Sequence, residues 1–289
     1  MRKVIAALVM VIVLAAVAWW VRRTWSPRTK PLLVLTLQVD RKSEVAVLEG
    51  TPLFFAVFLS GSKVAPRFSI GSSDHPWHES LHLESINNEK LLPLNWSVLG
   101  EPRSLYPRFD ASGNLVTIEM YRGGEAVFDK VRHGYTAEFG MAPEEVAKIP
   151  LGHHSFRAVM ETHSRLPWRR SERFVSNPVT VTVQKQAEQP SGAEDLEWSR
   201  LVESAKFYLR AKKYEDAQRV ALQLIAQRPK DVDNQILLGD ALNGLRRDQD
   251  ALKSYKKALF LIAIDGQQHR EPPTYVYMRM EEVQQRLKH

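Results

Sequence analysis

The amino-acid sequence predicts a multidomain chain of three parts: an N-terminal transmembrane helix, an all-β sandwich and a set of all-α helical hairpins. Three observations carry this expectation. Val4 to Val21 is an unbroken run of 18 apolar residues. Leu32 to Val183 shows short alternating segments punctuated by Gly and Pro, without a helical period. Leu201 to Leu259 matches itself when shifted by 34 residues, which is how a repeated helix–turn–helix unit reads in a sequence. The expected boundaries are 1–30 for a membrane anchor or signal segment, 31–183 for the sandwich, 184–195 for a linker and 196–289 for the helical domain.

The apolar run is bracketed by Arg2-Lys3 and Arg22-Arg23. As a helix it would span roughly 27 Å, enough for a hydrocarbon core, with Trp19 and Trp20 where aromatic rings favour the interface. Ala16-Val17-Ala18 fits a signal-peptidase site, but the run exceeds the usual length of a signal h-region, about 15 residues at most. An uncleaved anchor is therefore the expectation. Two basic side chains precede the span and four follow it, which formally places the C-terminal bulk in the cytoplasm.

The net charge is +7, but six basic residues and no acidic ones lie in the first thirty positions, leaving +1 for the rest. That distribution excludes a phosphate-binding face and with it a nucleic-acid partner. The chain has no cysteine, which excludes disulfides, thiolate metal sites and thiol catalysis.

In the middle domain Leu33, Leu35, Leu37 and Val39 alternate with Val34, Thr36, Gln38 and Asp40. Gly50-Thr51-Pro52 then breaks the chain before a second apolar segment, Leu53–Leu59. Further expected strands are Arg67–Ile70, Leu94–Leu99, Leu115–Tyr121, Tyr135–Phe139, Phe156–Glu161 and Pro178–Val183, with Gly123-Gly124 as a hairpin turn before Glu125–Phe128. Seven or eight such strands imply an antiparallel sandwich. The closing stretch, Ser155–Glu161 followed by Val175-Ser-Asn-Pro-Val-Thr-Val-Thr-Val183, resembles the last two strands of immunoglobulin-like envelope domains. That resemblance implies an immunoglobulin-like sandwich and a bulk on the extracytoplasmic, envelope side of the membrane. Gln184–Asp195 lacks an apolar anchor and holds Pro190-Ser191-Gly192, a linker composition.

In the helical region the 34-residue shift lays Ala205 on Gly239, Tyr208 on Leu242, Ala217 on Ala251 and Leu224 on Ala258. Small residues at fixed places let helices approach closely, with large ones filling the grooves between them. The copies, Ser204-Ala205-x2-Tyr208…Ala217-x3-Ala221…Pro229 and Leu238-Gly239-x2-Leu242…Ala251-x3-Tyr255-x2-Ala258, resemble the tetratricopeptide repeat (TPR) over about a fifth of the chain. The departures are Ser204, Ala221, Gln235 and Ala263, the last standing where the first copy has Pro229. After a polar loop, Asp265–Pro273, Thr274 is an expected N-cap for a last helix, whose Val276, Met280, Val283 and Leu287 form one apolar stripe. Two repeats fall short of the three usually needed for stability, so the unit needs this capping helix, the sandwich surface or self-association with a second copy.

The TPR resemblance implies a membrane-anchored adaptor that binds a protein or peptide in the groove, with Tyr208, Lys212, Asn234, Leu238 and Asn243 as groove or near-groove positions. Neither an enzymatic activity nor a cofactor is expected: G-x-S-x-G, Walker-type and G-x-G-x-x-G motifs are absent. The rival reading is an envelope zinc-dependent hydrolase. His78-Glu79-Ser80-Leu81-His82 fits H-E-x-x-H, and on a helix His78 and His82 would share one face with Glu79 as general base. The motif is short, follows Pro76-Trp77 and lacks an apolar helix around it, so the expectation is that it binds no metal. A third reading is a purely structural part of an envelope complex.

Overall fold

The computed structural model describes residues 33–61, 68–70, 76–86, 95–100, 103–109, 115–122, 126–128, 134–162, 172–185, 193–264 and 274–288. The apolar run Val4–Val21, the turn at Gly123-Gly124, the centre of the expected linker (186–192) and the loop Asp265–Pro273 lie outside the described residues. Among the described residues no helix is long and apolar enough to cross a membrane; the longest, Ala193–Arg210, is charged along its whole length. The expected order of a transmembrane helix, an all-β sandwich and helical hairpins, and with it a single-pass membrane location, is corrected accordingly: among the described residues the chain begins with strands, continues into helices and holds no helix able to cross a membrane.

The strands are β1 (Leu33–Val39), β2 (Glu44–Leu48), β3 (Leu53–Gly61), β4 (Phe68–Ile70), β5 (Leu81–Ser85), β6 (Ser97–Val98), β7 (Arg103–Phe109), β8 (Leu115–Arg122), β9 (Ala126–Phe128), β10 (Gly134–Met141), β11 (Gly152–Thr162), β12 (Glu172–Val175) and β13 (Val179–Gln184). One sheet runs β1-β3-β10-β7-β8 with β6 also on β10; a second runs β12-β11-β13-β2 with β5 on the other side of β11; β4 and β9 pair separately. The expectation of an antiparallel, all-β, immunoglobulin-like sandwich is corrected on two counts. The second sheet is mixed, because β2 runs parallel to β13 from Glu44↔Thr180 to Leu48↔Gln184. Helical turns also sit inside the domain: a 3-10 turn at Trp77–Ser80 and helix α1 (Pro143–Val146). Each follows or begins with a proline, whose fixed φ suits a first helical turn.

The two sheets enclose one core. Side chains that alternate along β1 (Leu35, Leu37, Val39), β3 (Phe55, Val57, Leu59) and β13 (Val179, Val181, Val183) meet Trp77, Phe139, Phe156 and Met160, as a period of two demands of strands buried on one face. At the bend between β12 and β13 the Asn177 amide accepts a hydrogen bond from the Leu37 N–H (2.9 Å) and donates one to the Leu37 carbonyl (3.0 Å). One side chain thus stands in for a residue of a neighbouring strand and ties the second sheet to the edge of the first.

Five helices follow: α2 (Ala193–Arg210), α3 (Tyr214–Gln227), α4 (Val232–Gly244), α5 (Asp248–Ile264) and α6 (Thr274–Leu287). Small residues set their spacing. A Cβ on Gly239 would lie 2.5 Å from the Tyr255 ring, and one on Gly244 would collide with the Tyr214 ring. On α6 Val276 and Val283 are fully buried and Met280 packs beside them, whereas Leu287 is exposed.

Helix α2 also binds the helices to the sheets. Phe207, Tyr208 and Ala205 share a core with Leu99 and Ala142 of the sheet domain, the Phe54 and Phe207 rings lie 6.2 Å apart, and Arg210 covers the Phe54 ring while pairing with Glu138 at 2.5 Å. The approach is closest at Gly140, where a Cβ would meet Phe207 at 2.6 Å and Leu99 at 2.7 Å. Gly140→Ala is therefore expected to destabilise the protein by about 1–3 kcal/mol in urea unfolding, as overpacking does. The penalty should shrink in a Phe207→Ala background; strictly additive effects would show that the two residues do not meet.

Candidate functional site

The H-E-x-x-H segment does not form a metal-binding helix. Its helical turn stops at Ser80, whose hydroxyl donates to the Trp77 carbonyl at 2.7 Å, and Leu81 is already extended with ψ 133. Strand pairing explains the break: from Leu81 onward the backbone joins β11, with Leu81 opposite Met160 and Ser85 opposite Phe156, and that ladder takes the backbone groups a continued helix would need. His82 therefore sits on β5 opposite Val159, with Nε2 at 3.3 Å from Glu84, a carboxylate that also takes Arg157 and Arg173. His78 stays on the turn, where burial pushes its imidazole pKa down, and Glu79 is exposed. Among the described residues no group of three or more His, Cys, Asp or Glu is placed to hold a metal ion. His153 and His154 serve the sheet, with contacts to the Thr182 hydroxyl at 2.9 Å and the Pro150 carbonyl at 2.6 Å.

The five expected groove residues divide. Tyr208 is buried against the sheet domain and its hydroxyl donates to the Glu144 carboxylate; burial, with the Glu144 contact second, drives its pKa upward. Asn234 is fully buried, its amide donating to the Leu224 and Arg228 carbonyls at 3.1 and 3.3 Å and so closing the end of α3. Leu238 is half-buried between the two helical cores. Only Lys212 and Asn243 stand at the surface or its margin. Lys212 is exposed in the α2–α3 turn with φ 58, and Asn243 accepts a hydrogen bond from Arg286.

Asn243 leads to a polar seam that the apolar stripe of α6 did not announce. Tyr255 of α5 donates to Asp240 of α4 at 2.7 Å, and burial raises the Asp240 carboxyl pKa despite that bond and the nearby Arg279. Arg286 of α6 reaches Asp248 through Nε (3.1 Å) and Nη2 (2.6 Å), and Glu282 through Nη1 (3.1 Å). The hydrogen bonds from Arg286 hold the Asp248 carboxyl below its ordinary value. Arg246, Asp248, Glu282, Gln285 and Arg286 line an open cleft of about 680 Å³. The signal in the sequence is the spacing of Arg279, Glu282 and Arg286 at steps of three and four, a polar stripe beside the apolar one. It sets ion-paired cations and acceptors on packed helices beside a cleft.

No known family profile matches the chain, and no curated protein matches it. Solved structures similar to it include AggA, the major subunit of aggregative adherence fimbriae type I from Escherichia coli, at 15% identity over 53% of this chain and 96% of that one, with a TM-score of 0.27. A second, from work on host recognition and biofilm formation by aggregative adherence fimbriae of enteroaggregative Escherichia coli, has 14% identity over 53% and 99%, with a TM-score of 0.25. A third concerns T cell specificity and activation by the bacterial superantigen toxic shock syndrome toxin-1, at 9% identity over 53% and 100%, with a TM-score of 0.19. These are fimbrial and superantigen structures, not tetratricopeptide-repeat or immunoglobulin-like ones, and overlaps this low carry no argument about function.

The seam makes a prediction with a definite sign. Arg286→Ala should cost about 1–3 kcal/mol at pH 7, because it leaves a half-buried carboxylate without its partner. A carboxyl whose folded pKa is depressed stabilises above its unfolded value and loses that stabilisation as pH falls through the folded one. The gap between wild type and Arg286→Ala in thermal unfolding should therefore narrow below the ordinary Asp value of 3.8.

Proposed function

We propose that the chain is a protein-binding adaptor whose helical end, held against the sheet domain by α2, receives a polypeptide partner at the seam between α4, α5 and α6. The supporting observation is the open cleft lined by Arg246, Asp248, Glu282, Gln285 and Arg286, placed beside half-buried polar groups on packed helices. Stacked helical hairpins offer extended surfaces of this kind, and side chains positioned by neighbouring ion pairs lose little freedom when a partner arrives. Tyr208, Asn234 and Leu238 act in this reading as the packing that fixes the surface, while Asn243 and Lys212 belong to its rim. No reaction is assigned to the site.

A photocrosslinking amino acid at Gln285, which lines the cleft, tests the reading in cells that make the protein. A discrete protein adduct is expected at Gln285 but not at Glu161, exposed on β11. Equal crosslinking at both positions, or none at Gln285, would refute the adaptor reading.

A further inference from the structure

The two helical turns that follow α2 and α4 are built alike and at a conformational cost. Lys212 and Arg246, 34 positions apart, both hold positive φ, 58 and 60. The Lys213 N–H reaches the Tyr208 carbonyl at 2.8 Å and the Arg247 N–H reaches the Leu242 carbonyl at 2.9 Å, while Lys212 and Arg246 bond Leu209 and Asn243, each at 3.1 Å. This helix-ending motif favours glycine at the left-handed position, because a Cβ crowds the backbone there. Both turns instead present a long basic side chain, twice in succession: Lys212-Lys213 and Arg246-Arg247, all exposed.

The turns adjoin one another. The Tyr214 ring, one residue beyond Lys213, packs on Gly244, two residues before Arg246, and the Arg286 bond to Asn243 brings the end of α6, with exposed Lys288, alongside. Three of the acidic residues nearby are engaged, Asp250 with Arg247, Asp248 with Arg286 and Asp216 with Arg219, while Glu215 is exposed at the start of α3. Lys212 and Arg246 make no ion pair at contact distance among the described residues.

We infer that this edge, continuous with the cleft, docks an acidic polypeptide segment whose carboxylates pair with Lys212 and Arg246; the inference rests on the adaptor reading and names its partner class. A polypeptide fits better than a nucleic acid or a lipid surface. Outside the first thirty residues the chain carries only +1, too little to hold a uniform polyanion, and the ion-paired Asp248, Asp250 and Glu282 divide the edge into separate cationic points, which spaced carboxylates can meet and a continuous row of phosphates cannot. Packed helices lie about 8–10 Å apart and an extended chain advances about 3.3 Å per residue, so the basic turns match carboxylates at about every third residue.

The test is fluorescence anisotropy with the full chain and a labelled nine-residue peptide carrying Glu at every third position and Gly or Ser elsewhere. The double variant Lys212→Gly/Arg246→Gly should weaken binding about fivefold or more, the range set by two exposed charge pairs, while its thermal midpoint stays level or rises because glycine suits both turns. Lys212→Arg and Arg246→Lys should keep affinity. Unchanged peptide binding in the double glycine variant overturns the inference, as does a wild-type chain that ignores the peptide but binds phosphatidylserine vesicles or a single-stranded oligonucleotide. A Gln285 adduct undiminished in yield in the double glycine variant overturns the docking edge and leaves the adaptor reading standing; a wild-type chain without that adduct overturns both.

Discussion

The close approach at Gly140 governs the arrangement of the molecule. A sheet that offered any Cβ at that point would hold Phe207 away, and the core shared by Leu99, Ala142, Phe207 and Tyr208 would open. Because α2 also packs Ala205 into the same cluster as Ala217, Val220 and Leu224 of α3, the contact that docks it on the sheets also fixes the direction in which the hairpins stack. Asp40, in the turn after β1, shows how tightly the seam is drawn: burial, with the charge of Glu203 on α2 second, raises its carboxyl pKa. The Tyr208–Glu144 and Arg210–Glu138 contacts add direction to what is mainly an apolar joint.

Elsewhere single polar side chains do work usually left to backbone. Asn177 gives Leu37 both hydrogen bonds that an edge strand would otherwise seek from another chain, and Ser176 accepts the Ala158 N–H at 2.9 Å beside it. Asn234 fills the same role at the end of α3 and joins one hairpin to the next. Each of these side chains links backbone groups of elements that are separate in sequence.

What could be read in advance follows from the range of each interaction. The alternation at Leu33–Val39 and the spacing of Val276 and Val283 record burial directly, because side-chain direction repeats with the backbone. The 34-residue period places Gly239 and Ala205 at close contacts for the same reason. The parallel pairing of β2 with β13 joins residues more than 130 positions apart and leaves no local trace. His78 and His82 fit a helical spacing, yet Leu81–Ser85 pairs with β11, more than 70 positions away, so the segment breaks into a turn and a strand. The site was legible only in part. Lys212 and Asn243 were placed near it, but Tyr208 and Asn234 turn inward to partners at Glu144 and Leu224. Lys and Arg give no hint of the left-handed turns they occupy, since glycine is the residue that ordinarily signals them.

Helix α2 joins the sheets to the helices through the shared core and the Arg210–Glu138 pair, and a joint of that kind should hold the two at one fixed distance. The absence of cysteine allows spin labels at Glu161→Cys on β11 and Lys253→Cys on α5, both exposed, with their separation measured by pulsed electron double resonance. One narrow distance distribution, unchanged when the salt concentration is raised, is the predicted result. A broad or two-peaked distribution in the wild-type chain would mean that the helices move independently of the sheets and that α2 does not join them.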